Sequence, residues 1–123
     1  MEFTKWVLVV DDDPIVRKLI SVVAKSCNFE VVEANNGREA LELLKTDYTY
    51  LPDLILVDLY MPEMDGAKYC QALRDELGYP LERVVVISSA SMKKDRDLIA
   101  SLGVRDFLKK PFSMTDIRKL FQI

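Results

Sequence analysis

The sequence predicts an α/β fold: one open, doubly wound parallel sheet with helices on both faces. Two observations carry this. A short apolar run followed by a segment of helical spacing recurs five times in 123 residues, the rhythm of strands joined by right-handed crossover helices. The central runs are also apolar throughout, as strands buried on both faces are. Five short strands are too few to close an eight-stranded barrel, so the sheet is open. The length suits one domain over residues 1–123, with a core that needs no disulfide or metal staple.

The elements follow in order. Trp6-Val7-Leu8-Val9-Val10 is β-branched and fully apolar, a central strand. Asp13 before Pro14 starts a helix, with Asp as N-cap and Pro at the first helical position. Val16, Leu19, Ile20, Val23 and Cys27 give that helix its apolar face. It stops near Asn28, a residue that tolerates the left-handed conformation. Phe29 to Ala34 is a second strand, more mixed and so nearer the sheet edge. Asn36 with Glu39 three residues on resembles a capping box, and a helix follows through Leu44. Thr46 to Pro52 connects to the third strand, Leu54 to Asp58.

Asp65 caps the next helix, which Gly78 terminates after Leu77. Arg83 to Ile87 is the fourth strand, running into Ser88-Ser89-Ala90. A helix with charged faces spans Met92 to Leu102 and stops at Gly103. Val104 to Leu108 is the fifth strand, followed by Lys109-Lys110-Pro111. Ser113-Met114-Thr115-Asp116 opens a last, short helix, which leans toward a domain cut from a longer chain.

Composition narrows the function. The net charge is −3 and no basic run is present, so direct nucleic-acid binding is not expected. No apolar run approaches the roughly 20 residues that span a bilayer, and the start lacks a signal-peptide pattern. No membrane association and a cytoplasmic address are the expectation. The two cysteines, Cys27 and Cys70, fall in different helical patterns and read as small core hydrophobes. There is no histidine. That removes Ser-His-Asp triads, histidine bases and most zinc sites. Any chemistry runs on carboxylates, hydroxyls and lysine.

In a parallel sheet all carboxyl ends of strands share one edge, where ligands bind in open α/β folds. Here those ends are Asp11 and Asp12, Asp58, Ser88 and Lys110. Three adjacent carboxylates repel one another and need compensation. An all-oxygen set suits Mg²⁺, with Mn²⁺ as the alternative. Asp12, Asp58 and the backbone carbonyl of Tyr60 can take three positions, with Asp11 reaching the ion through water. A carboxylate such as Asp58 can attack phosphorus. The ion, the Lys110 ammonium and the Ser88 hydroxyl can then each neutralise one phosphoryl oxygen. Either Ser88 or Ser89 can serve, and its position directly after the apolar run favours Ser88. Alternation sends Lys109 to solvent and keeps Lys110 at the site. Asp13, Glu63, Asp65 and Gly66 read as cap and turn residues.

The chain resembles the receiver domains of two-component response regulators over essentially its whole length. The resemblance rests on Val7-Leu8-Val9-Val10-Asp11-Asp12-Asp13-Pro14 and on Leu54-Ile55-Leu56-Val57-Asp58-Leu59-Tyr60-Met61-Pro62-Glu63-Met64-Asp65-Gly66. Val85-Val86-Ile87-Ser88-Ser89-Ala90 and Phe107-Leu108-Lys109-Lys110-Pro111-Phe112 complete it. It implies a flavodoxin-like (βα)5 fold with strand order 2-1-3-4-5. It implies that Asp58 is the phosphoacceptor, and that Asp11 and Asp12 are the acidic pair that holds Mg²⁺. Ser88 matches the hydroxyl residue that turns toward the phosphoryl group. Lys110 matches the family lysine, whose bond to Pro111 is commonly cis. Phe107 matches an aromatic switch residue that is often Tyr; without the hydroxyl its switching must rest on packing.

The implied function is a phosphorelay switch. A histidine kinase or histidine phosphotransfer protein donates the phosphoryl group, and a partner or output domain reads the change. The chain would be a monomer or a phosphorylation-dependent dimer, and no enzyme beyond its own phosphorylation and dephosphorylation. The side chain of Tyr60 is expected to shield the phosphoryl group from water. The charged helix after Ser91 is a solvated face and a candidate part of the output surface. The rival from another class is an interaction module of the same fold that needs no phosphate. A phosphatase passing through an aspartyl phosphate and an FMN carrier are the remaining alternatives. The carrier is disfavoured because acids stand where a cofactor phosphate would need N–H donors.

Overall fold

The structure, a computed structural model, describes residues 5–46, 50–89 and 93–122. Five parallel strands form one sheet: β1 (Trp6–Val10), β2 (Glu30–Ala34), β3 (Leu54–Asp58), β4 (Val84–Ser88) and β5 (Asp106–Lys109). They lie in the order β2-β1-β3-β4-β5, with every neighbouring pair parallel. The helices are α1 (Pro14–Ser26), α2 (Gly37–Thr46), α3 (Gly66–Leu77), α4 (Lys93–Ser101) and α5 (Met114–Leu120). The mixed second strand is indeed at an edge.

Strand alternation sorts the core into two layers. Leu8, Val10, Ile55 and Val57 face one way and pack with Leu41, Leu44, Tyr69, Leu73 and Ile99 of α2, α3 and α4. Val7, Val9, Leu54 and Leu56 face the other way, under Ile20 and Val23 of α1 and Ile117 and Leu120 of α5. Each such side chain contributes about 1.5–3 kcal/mol by leaving water. Phe29 and Phe121 close the second layer edge to face, their centroids 5.0 Å apart. Cys70 is buried in the first layer, where burial pushes its thiol up to about 12, and Cys27 is half-buried against the second. Both thiols are free.

The helix signals act locally. Asp13 accepts from the Ile15 N–H at 2.9 Å, and Asn28 takes φ 65° two residues past the end of α1. Asp65 accepts from the Lys68 N–H at 2.9 Å, and Gly78 ends α3 at φ 63°. Asn36 accepts from the Glu39 N–H at 2.8 Å. The Glu39 carboxylate does not complete the box; it accepts from the Asn35 side chain. The full reciprocal box is at α5, between Ser113 and Asp116.

Several boundaries differ from the sequence expectation. Thr46, read as the start of the connection, instead ends α2. Phe29 precedes the second strand and turns into the core. Arg83 belongs to a single 3-10 turn, Leu81–Arg83, so β4 runs from Val84 and includes Ser88. The fifth strand starts at Asp106, two residues later than Val104, because the chain spends two residues returning from the left-handed turn at Gly103 (φ 77°). Pairing then puts Lys109 opposite Ser88. Met92, expected to open the fourth helix, lies outside the described residues, as do Ala90 and Asp47 to Thr49 of the connection before β3.

Candidate functional site

The carboxyl ends of β1, β3, β4 and β5 meet at one edge of the sheet. Asp11 follows β1 directly, and its N–H extends the ladder to Ala34 O at 3.2 Å. The residue is fully buried, at 0% exposure. Its Oδ1 accepts from the Asp13 N–H at 2.9 Å, while its Oδ2 has no hydrogen-bond partner. Asp12, next in the chain, is exposed at the mouth of the site. Asp58 is the last residue of β3 and is buried. Oxygen atoms of Asp11, Asp12 and Asp58 lie within 4.8 Å of one another. Lys110 Nζ stands 3.5 Å from Asp58 Oδ2 and 3.9 Å from Asp11 Oδ2.

Burial is the main force on these acids. It pushes the Asp11 carboxyl up to about 6; the Asp13 N–H and the Lys110 cation oppose, while Asp58 and Asp12 add repulsion. Burial likewise raises Asp58, opposed by Lys110 and the Tyr60 N–H. One ammonium does not offset three carboxylates here. The orphaned Asp11 Oδ2 and the all-oxygen donor set fit a hard divalent cation. The candidate donors are Asp11, Asp12 and Asp58, with the Tyr60 carbonyl beside them in the chain.

Ser88 closes β4 and is buried at the same edge, whereas Ser89 is exposed. The Lys110 N–H donates to Ser88 O at 2.8 Å, tying the fifth strand's end to the fourth's. Lys109 points to solvent and Lys110 is half-buried, as alternation requires. The Lys110–Pro111 peptide is cis. Phe107 lies on β5, 41% exposed, directed away from the core.

The loop after Asp58 is pinned at both ends. The Leu59 N–H donates to Ile87 O and the Gly66 N–H to Leu59 O, each at 2.8 Å, and Glu63 takes a left-handed φ of 68°. Gly66 is required for this closeness: a Cβ there would lie 2.5 Å from Asp58 O and 2.8 Å from Leu59 Cα. Both neighbours are backbone and cannot rotate away. Gly66→Ala is therefore expected to destabilise the fold by roughly 2–4 kcal/mol in urea unfolding. An unchanged midpoint would show that α3 can retreat without cost.

The contacts of two side chains, Tyr60 and Arg17, were not foreseen from the sequence. The Tyr60 hydroxyl donates to the Asp95 carboxylate, joining the loop after the third strand to α4. Arg17 donates from Nη1 to Asp11 O at 2.5 Å and from Nε to Glu33 at 3.2 Å. Arg17 carried a faint signal, a cation one turn into a helix among Val16, Leu19 and Ile20. Asp95 carried none, lying in a run of alternating charges.

Residues 7–122 match the family described as the response regulator receiver domain. The chain belongs to this family. The receiver domain is 33% identical over 111 residues to a probable transcriptional regulator, ycf27, of Porphyridium aerugineum, covering 90% of this chain and 44% of that protein. It is 32% identical over 114 residues to the alkaline phosphatase synthesis transcriptional regulatory protein PhoP of Bacillus subtilis, covering 92% and 45%. The receiver domain thus spans about half the length of the curated relatives it matches. In structure it is similar to the chemotaxis response regulator CheY4 of Vibrio cholerae, with a TM-score of 0.86, 27% identity and 98% of each chain covered. No helix among the described residues is long and apolar enough to cross a membrane.

Proposed function

We propose that this receiver domain is a phosphorelay switch in which Asp58 accepts a phosphoryl group from a phosphohistidine. The observation that carries the proposal is the Asp58 carboxylate, 3.5 Å from Lys110 and clustered with Asp11 and Asp12 at the sheet's carboxyl edge. An ionised Asp58 oxygen attacks phosphorus; the P–N bond breaks, and the donor nitrogen keeps the electron pair and takes up a proton. An acyl phosphate remains on Asp58. The Lys110 ammonium and the Ser88 hydroxyl neutralise phosphoryl oxygens, and positioning supplies most of the rate. Asp12, Asp58 and the Tyr60 carbonyl would hold Mg²⁺ or Mn²⁺, with Asp11 acting through water; the ion supplies charge neutralisation during transfer.

The donor is a histidine kinase or histidine phosphotransfer protein, and the reader is an output domain or a separate partner. Recruitment of Ser88 couples to a new packing of the outward Phe107, altering the surface around α4, β5 and α5. Hydrolysis resets the switch. The domain catalyses its own phosphorylation and dephosphorylation, turns over no metabolite, and works in the cytoplasm. Incubation with Mg²⁺ and acetyl phosphate, followed by intact mass, tests the proposal. A single phosphoryl adduct is expected; its absence would favour the phosphate-independent interaction module.

Tyr60 is 58% exposed at the rim, with its hydroxyl on Asp95. A ring held there limits access of water to Asp58. Tyr60→Ala is expected to speed loss of the phosphoryl group roughly 3–10-fold, with Tyr60→Phe between the two. Equal dephosphorylation rates in all three proteins would remove the shielding role.

A further inference from the structure

Arg17 lies one turn into α1, wedged between the edge strand β2 and the acidic turn, with a side chain only 14% exposed. Its guanidinium is a rigid fork, so its two bonds orient each other. One goes to the Asp11 carbonyl oxygen at 2.5 Å, the other to Glu33 on β2 at 3.2 Å. That carbonyl belongs to the peptide joining Asp11 to Asp12. On its other side Asp11 is held by its N–H on Ala34 O and by Oδ1 on the Asp13 N–H. The helix anchors the same turn again, through the Arg17 N–H on Asp13 O at 3.1 Å.

A planar peptide rotates as a unit. Whatever fixes its oxygen also fixes the direction in which the next residue leaves. We propose that Arg17 is a positioning residue for the acidic pair: by holding the Asp11–Asp12 peptide plane, it aims the Asp12 carboxylate at the position shared with Asp11 and Asp58. This rests on the metal-binding part of the proposed function.

Charge and geometry predict opposite signs here. Arg17 is a cation close to a cation site, so Coulomb's law alone says that removing it tightens Mg²⁺ binding. If Arg17 aims Asp12, its removal loosens binding, as loss of a group that orients metal ligands does. The test is calorimetric titration of Mg²⁺ into the full chain for the parent, Arg17→Met, Arg17→Lys and Asp12→Asn, with a thermal melt of each. Arg17→Met is expected to weaken Mg²⁺ binding roughly 10-fold. Arg17→Lys keeps the charge and one donor but loses the fork, and is expected to weaken it roughly 3-fold. Unchanged or tighter binding in folded Arg17→Met overturns the proposal. Should Arg17→Met fail to fold, Arg17→Lys decides, and parent-like affinity overturns it. A parent that binds no Mg²⁺, or binds it as tightly after Asp12→Asn, overturns the metal assignment itself and this proposal with it. A parent that binds through Asp12 but is indifferent to Arg17 overturns this proposal alone.

Discussion

Asp58→Asn is expected to abolish phosphoryl uptake and, without divalent cations, to raise the thermal midpoint. The amide has nearly the carboxylate's shape but no nucleophilic oxygen anion, so adduct formation from acetyl phosphate should fall by at least about 100-fold. The stability gain has a separate cause. Asp58 is buried, and burial raises its carboxyl above the ordinary range. Its ionised form thus works against folding, and Asp11 and Asp12 lie within 4.8 Å. A neutral side chain removes both costs. Loss of function with gain of stability is what separates a carboxylate kept for chemistry from one kept for structure. Intact mass and a melt in chelator measure the two effects. Parent-like uptake in the variant would place the acceptor elsewhere, and a lowered midpoint would make Asp58 a structural residue.

In chelator, stability is expected to fall as pH rises from about 4 to 7. Asp11 has an ordinary value of 3.8 and a folded value of about 6. Between these the folded state binds more protons than the unfolded one, so the slope of stability with pH is negative there. Asp58, raised in the same direction, adds to it. The Asp11 contribution is on the order of 1–3 kcal/mol. Below about 4 the slope reverses, because Asp75 and Asp116 are lowered by Arg74 and by the Ser113 N–H, respectively, and lose that support on protonation. Saturating Mg²⁺ should flatten the slope near neutral pH, since bound carboxylates stay ionised. Melts from pH 4.5 to 7.5, with chelator and with Mg²⁺, measure this. A midpoint that rises steadily with pH in chelator would show that the acids are not strained by burial.

The fold was legible because its signals are local. Val7–Val10, Leu54–Val57 and Val84–Ile87 are apolar on both faces, and Asp13-Pro14, Asp65 and Gly78 punctuate helices whatever surrounds them. Parallel strands then bring Asp11, Asp12, Asp58, Ser88 and Lys110 to one edge by topology alone. Boundaries set by pairing were less legible. The late start of β5 depends on where Gly103 returns the chain to the sheet, and the Glu39 carboxylate chose a neighbouring side chain over its own cap.

The sequence by itself determined the fold class, the site's edge and the chemical types that meet there. Periodicity and turn chemistry act over a few residues and need no knowledge of packing. Only the tertiary structure decided the environments. It buries Asp11 while exposing the adjacent Asp12, and it makes Gly66 irreplaceable through a close approach to Asp58 O. It puts Arg17 on the Asp11 carbonyl and Asp95 on the Tyr60 hydroxyl. Burial, and the direction in which a long side chain reaches, depend on segments distant in the chain, so no local pattern encodes them.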